Sequence, residues 1–228
     1  MDARTPTRPR PLPVSAASHT DGRFLLVLAL PYAALWVLLA FHPNDRSDWL
    51  LENALTLLGI GLLAATWRSF PLQRASYVCI TIFLVLHTIG AHYTYAEVPY
   101  DEWTLRAFGT SLNELLGWER NNFDRIVHFA YGLLLATPIR EVFQRLARVD
   151  GFWSYFLPLD LTMSTSMLYE LIEWAAAMVF GGELGMAYLG TQGDVWDAHK
   201  DMALASLGAL LTMLLTAGLA WLAARKIR

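Results

Sequence analysis

MALASLGALLTMLLTAGLAWL, residues 202–222, runs without a charged side chain for the length a bilayer demands. At about 1.5 Å of rise per residue, a helix over this stretch reaches about 30 Å, the thickness of the hydrocarbon core. Working back from it, five further stretches approach the same length: about 24–41, 49–67, 76–93, 123–139 and 154–180, with the last one beginning near 201. Composition agrees. The chain has 228 residues, 55% hydrophobic and 16% charged, where a soluble domain carries about a quarter charged. The predicted fold class is all-α: a polytopic transmembrane helix bundle of about six spans, forming one membrane-embedded domain over 23–228. Residues 1–22, rich in proline and arginine, cannot bury a core and are predicted to be a disordered cytoplasmic tail.

The basic residues orient the bundle. The tail, the turn holding Arg68 and Arg74, the turn holding Arg140, Arg145 and Arg148, and the C-terminus together hold twelve of the 17 Lys and Arg residues. The alternate loops hold only Arg46, Arg106, Arg120, Arg125 and Lys200. Positive loops stay cytoplasmic, so both ends are predicted to be inside and the loop 94–122 outside. Within that loop Leu105, Phe108, Leu112 and Leu115 recur at helical spacing, which fits either a helix on the outer surface or a cover over the bundle. A net charge of −3 without a dense basic patch excludes a nucleic-acid partner. The lone Cys79 says nothing about compartment.

Ionisable groups within spans are costly and usually functional. Mapped onto the predicted topology, they gather on one side. Glu52 opens the second span, His87 lies in the outer half of the third, Asp124 and His128 open the fourth, Glu170 and Glu173 lie in the outer half of the fifth, and Asp194, Asp197 and Asp201 precede the sixth. Asp124 and His128 are four apart, Glu170 and Glu173 three apart, and the aspartates three and four apart, so each subset shares a helix face if the last helix starts near Asp194. Carboxylates and imidazoles converging from several helices are what a bundle-core metal site is made of. Asp124, His128, Glu170, Asp194, Asp197 and Asp201 are the candidate ligands of a divalent metal ion. Glu173 or His87 is the candidate general base.

Three runs carry a family resemblance. Gly117-Trp118-Glu119-Arg120-Asn121-Asn122-Phe123-Asp124-Arg125-Ile126-Val127-His128-Phe129 resembles the YjdF-type bacterial inner-membrane proteins, as do Tyr169 to Trp174 and Gly190 to Met202. A looser likeness runs to the VanZ-like membrane proteins, from which this chain departs in placing Asp201 where an asparagine is typical. The resemblance implies a small multi-pass protein of the bacterial inner membrane and names no substrate. Three function classes follow. The first is a metal-dependent site open to the extracytoplasmic side, acting on a lipid-linked or envelope substrate. The second is a small transporter or ion-binding protein. The third is a structural membrane protein whose polar cluster only fixes helix contacts. A serine or cysteine hydrolase is disfavoured, because no serine lies in a nucleophile turn.

Overall fold

The computed structural model describes residues 22–226. Among them are nine helices and no strand: α1 (Gly22–Leu39), α2 (Arg46–Thr66), α3 (Arg74–His92), α4 (Tyr100–Phe108), α5 (Leu112–Leu116), α6 (Phe123–Leu146), α7 (Trp153–Phe180), α8 (Gly182–Leu189) and α9 (Asp197–Lys226). The expected tail, apart from Gly22 at the start of α1, lies outside the described residues. All six apolar stretches are helices. Five of them, α1, α2, α3, α6 and α9, are long and apolar enough to cross a membrane. The sixth, α7, has 28 residues, about 42 Å of helix. It falls short in apolarity because Asp160, Glu170, Glu173 and a run of hydroxyl residues dilute its leucines.

The molecule is built inside out relative to a soluble bundle. Leucines such as Leu30, Leu58, Leu214 and Leu215 stand exposed on the helix exteriors, while Asn53, Thr88, Thr162 and Asp201 are buried. An apolar exterior of this extent marks a membrane surface, and polar side chains turned inward mark a bundle within lipid.

Contacts between helices centre on α6, which packs against α3, α7 and α9. Its closest partner is α9. A Cβ added to Gly132 would overlap the carbonyl oxygen of Ala205 and approach the Ala209 nitrogen to 2.7 Å. One added to Gly208 would meet the Leu133 nitrogen at 2.7 Å. Small residues let two backbones touch where no hydrophobic effect drives helices together. Here they let Thr212 donate to the Leu133 carbonyl at 2.6 Å. This seam fixes the height of the first turns of α9 against those of α6.

At the opposite end of the bundle, buried Glu141 of α6 closes the α2–α3 turn. It accepts from the Gln73 backbone N–H at 2.9 and 3.0 Å, from the Ser76 hydroxyl at 2.6 Å and from Arg145 at 2.7 Å. Gln73 is the N-cap of α3 and makes no side-chain cap of its own, and the carboxylate of another helix satisfies its orphan backbone N–H.

The loop 94–122 folds into two short helices. Gly109 and Gly117, both left-handed, terminate α4 and α5, which is where the helical spacing of Leu105, Phe108, Leu112 and Leu115 is interrupted. Phe108 and Leu115 remain exposed, whereas Val98 and Tyr100 pack with Phe123 and Val127 at the start of α6.

Candidate functional site

Asp124 stands in the first turn of α6, and His128 follows one turn later. The His128 Nε2 lies 3.4 Å from Asp124 Oδ1 and 3.6 Å from Glu170 Oε1 of α7. Asp201, in the second turn of α9, completes the group. One ligand atom from each of Asp124, His128 and Asp201 lies within 4.8 Å of the others. His128 and Asp201 are buried, and among the described residues Asp201 Oδ1 and Glu170 Oε1 have no hydrogen-bond partner. Such orphaned carboxylate oxygens are rare unless an ion or a proton completes them.

Asp194 and Asp197 have different company. Arg120 donates to Asp197 Oδ1 at 2.6 Å, and Arg125 donates to the same oxygen at 3.0 Å and also to Asp194 Oδ2. Lys200 reaches Asp194 Oδ2 at 2.6 Å. The helix begins at Asp197, three residues later than its expected start near Asp194. Asp194 therefore sits in the preceding turn, where its Oδ1 accepts from the Trp196 N–H at 3.0 Å. The Lys200 ammonium, with the Trp196 N–H and the Arg125 guanidinium, holds its carboxyl well below the usual carboxylate range. Of the six candidate residues, Asp124, His128 and Asp201 come together, Glu170 stands beside His128, and Asp194 and Asp197 are engaged by arginines on the flank of the group.

Beside this group lies a cavity of about 720 Å³ lined by α2, α3, α6 and α7. Asp48, Glu52, His87, Asp124, His128 and Glu173 stand at its polar end, and the rest is mostly leucine, isoleucine, valine and phenylalanine, with Thr56, Tyr131 and Thr165 among them, down to Leu63 and Phe143. α2 packs on α3 and α8, and α7 on α6, α8 and α9. α2 and α7 meet through the Tyr169 hydroxyl, which donates to Glu52 Oε2 at 2.9 Å, and not along an extended seam. Lining residues on both rims, Leu55 and Leu62 on one and Leu168 and Ile172 on the other, are exposed.

The two candidate bases are placed differently. Glu173 lines the cavity one turn from Glu170, and the two carboxyls are within hydrogen-bonding reach of each other. His87 is buried with both nitrogens engaged: Nε2 meets the Glu52 carbonyl at 3.1 Å, and Nδ1 meets the Tyr95 hydroxyl. A carbonyl only accepts, so Nε2 carries the proton and, in the neutral ring, Nδ1 accepts from Tyr95. Gly90 makes room for that tyrosine, since a Cβ there would meet its ring at 2.5 Å. His87 is thus committed to holding α2 and Tyr95. Sequence reasoning did not find Asp48 or Tyr95. Asp48 and Glu52 are four apart, and that spacing at the start of the second span was the available signal.

The profile of a predicted membrane protein family, DUF2238, matches residues 24–221. The chain belongs to this family. It is also 36% identical over 190 residues to the inner membrane protein YjdF of Escherichia coli strain K12, covering 83% of this chain and 87% of that protein. No solved structure matches. The resemblance read from residues 117–129, 169–174 and 190–202 is thereby borne out. In this DUF2238 protein those same three runs supply Asp124, His128, Glu170, Glu173, Asp194, Asp197 and Asp201, and thus the whole Asp124, His128 and Asp201 group with its neighbour Glu170.

Proposed function

We propose that this protein is a multi-pass inner-membrane protein that binds a divalent cation at Asp124, His128 and Asp201, with Glu170 as a fourth neighbour, near the extracytoplasmic face. The observation that carries the reading is the approach of three ligand atoms to within 4.8 Å, one of them on a buried aspartate with an unpartnered oxygen. Three protein ligands with room for water is the pattern of a catalytic rather than a closed structural site. Carboxylate-rich donors suit magnesium or manganese, and the imidazole also suits zinc. A cation there offsets the repulsion among Asp124, Asp201 and Glu170 and makes bound water a stronger nucleophile. Glu173, on the cavity wall, is then the base that would take a proton from that water. A lipid-linked or envelope-derived substrate would approach through the cavity.

Metal analysis tests this. Purified protein, stripped with chelator and reloaded, is expected to hold about one divalent ion per chain. Asp201→Asn and His128→Ala are expected to lose it, with a loss in affinity of 10-fold to 100-fold or more, the scale on which even outer-shell partners act. A folded wild-type chain that takes up no metal would leave the convergence as a device for helix contact.

The same reading includes the topology: six spans, with α7 crossing and both ends cytoplasmic, supported by the alternation of basic residues. Reporter fusions after Arg74 and Arg148 are expected to report from the cytoplasm, and fusions within 100–115 from the outside. Reversal at any two of these points overturns it.

A further inference from the structure

We infer that the cavity takes a hydrophobic cation from the bilayer, a long-chain amine or quaternary ammonium, with its charged head among Asp48, Glu52 and Glu173 and its chain along α2 and α6. This goes beyond the metal reading and does not rest on it.

Charge is the first argument. Among the described residues the wall carries four carboxylates, those of Asp48, Glu52, Asp124 and Glu173, and neither lysine nor arginine. The nearby Arg120, Arg125 and Lys200 are engaged by Asp194 and Asp197. With no metal bound, an anionic head would meet four carboxylates and no lysine or arginine to pair it.

The second argument is an unfilled partner. Asp48 is 1% exposed, and among the described residues neither of its carboxylate oxygens has a hydrogen-bond partner. It stands on the cavity wall, so what completes it arrives through the cavity. An unpaired buried carboxylate is among the most expensive groups a protein can hold. A neutral lipid would leave it unpaired, whereas an ammonium would pair it. The rings of Tyr95 and Tyr169 on the same wall add the electron-rich faces that ammonium groups favour.

Shape supplies the third. From Asp48 to Leu63 the wall follows α2 for about 22 Å, more than the depth of one leaflet, about half of a 30 Å core. The acids occupy one end only, so the cavity is itself amphipathic. Its exposed rims at Leu55 and Leu168 give a chain a lateral route between α2 and α7. The volume of about 720 Å³ lies within the range of small-molecule sites, about 300–1,000 Å³.

The test uses full-length protein in maltoside micelles after metal chelation. Binding of labelled hexadecyltrimethylammonium is compared with hexadecanol, hexadecyl sulfate and tetramethylammonium. The long-chain cation is expected to saturate at one per protein and to bind at least about tenfold more tightly than each of the others. Asp48→Asn is expected to weaken it by about tenfold or more. Gly59→Phe is expected to abolish it while leaving metal uptake intact, because a Cβ at Gly59 meets nothing within 4 Å and the ring fills the cavity. Equal binding of the alcohol overturns the proposal in favour of a plain apolar crevice. Tighter binding of the sulfate overturns it in favour of an anionic ligand. Should either variant fail to fold, the comparison of the four probes on the wild-type chain decides alone. Metal uptake with no cation binding, or the reverse, separates this proposal from the metal site.

Discussion

Gly132→Leu is expected to yield no monodisperse protein, and Gly132→Ala to lower stability by about 3 kcal/mol, at the upper end of overpacking costs. The alanine variant is the sharper test. Intrinsic helix propensity favours alanine over glycine by about 1 kcal/mol, so a neutral position would gain. At Gly132 the added Cβ overlaps a carbonyl oxygen of α9 and approaches a backbone nitrogen to 2.7 Å. Backbone atoms cannot rotate away as a side chain can, so the helices must separate. Separation also breaks the Thr212 bond to Leu133 and withdraws Asp201 from His128. Gly218 is the control on the same helix. A Cβ there meets nothing within 4 Å, so Gly218→Ala should match or exceed the wild type. The measurement is size-exclusion profile and thermal midpoint in detergent, with metal content alongside. A Gly132→Ala protein as stable as the wild type would mean that α6 and α9 do not touch here, and the placement of Asp201 beside Asp124 would go with it.

The spans were legible because lipid leaves so little freedom: each apolar run must be a helix, and α1 to α3 differ from expectation by two or three residues at most. What hid was local chemistry at the helix ends. α2 begins at Arg46 because Asp45 caps it, accepting from the Ser47 and Asp48 N–H groups at 2.7 and 2.9 Å. That cap pulls Asp48 into the helix and onto the cavity wall, whereas a span read from 49 leaves it outside. At α9 the reverse happens. Gly193 at φ 85° and the bond from Trp196 N–H to Asp194 make a turn, so the helix starts late and Asp194 leaves the face that Asp197 and Asp201 share. Spacing within a helix put Asp124 beside His128, and the two approach to 3.4 Å; it put Asp194, Asp197 and Asp201 on one face, of which only the last two share a helix. It could not decide between metal and arginine as partners, because Arg120 lies in an irregular stretch with no periodicity to aim it. α8, glycine-rich and short, carries no signal that separates it from a loop.

The arginines lead to the second large effect. Replacing Arg120 and Arg125 together by methionine is expected to cost more than the 3–5 kcal/mol typical of breaking one buried ion pair, and to leave little folded protein. Asp197 is 4% exposed, and its Oδ1 accepts from both guanidinium groups, at 2.6 and 3.0 Å. Asp201 lies one turn along the same helix, and Asp124 and Glu170 stand with it in the acidic group beside Asp197. Either arginine alone leaves the carboxylate one partner, so each single variant should cost less than half of the double, a non-additivity expected of groups sharing one acceptor. The decisive variant is a rescue. Asp197→Asn in the double background removes the uncompensated charge and is expected to recover most of the lost stability, because removing a buried charge with its partners is far less costly than stranding it. Failure of that rescue would mean that the arginines act through the Thr191 carbonyl or Asn122, and that the loop rather than the charge is what they hold. Success would also explain why two arginines stand on a side of the membrane otherwise poor in basic residues. Arg46 lies over Trp49 and Arg106 pairs with Glu102, so each of the five basic residues of that side has a local partner.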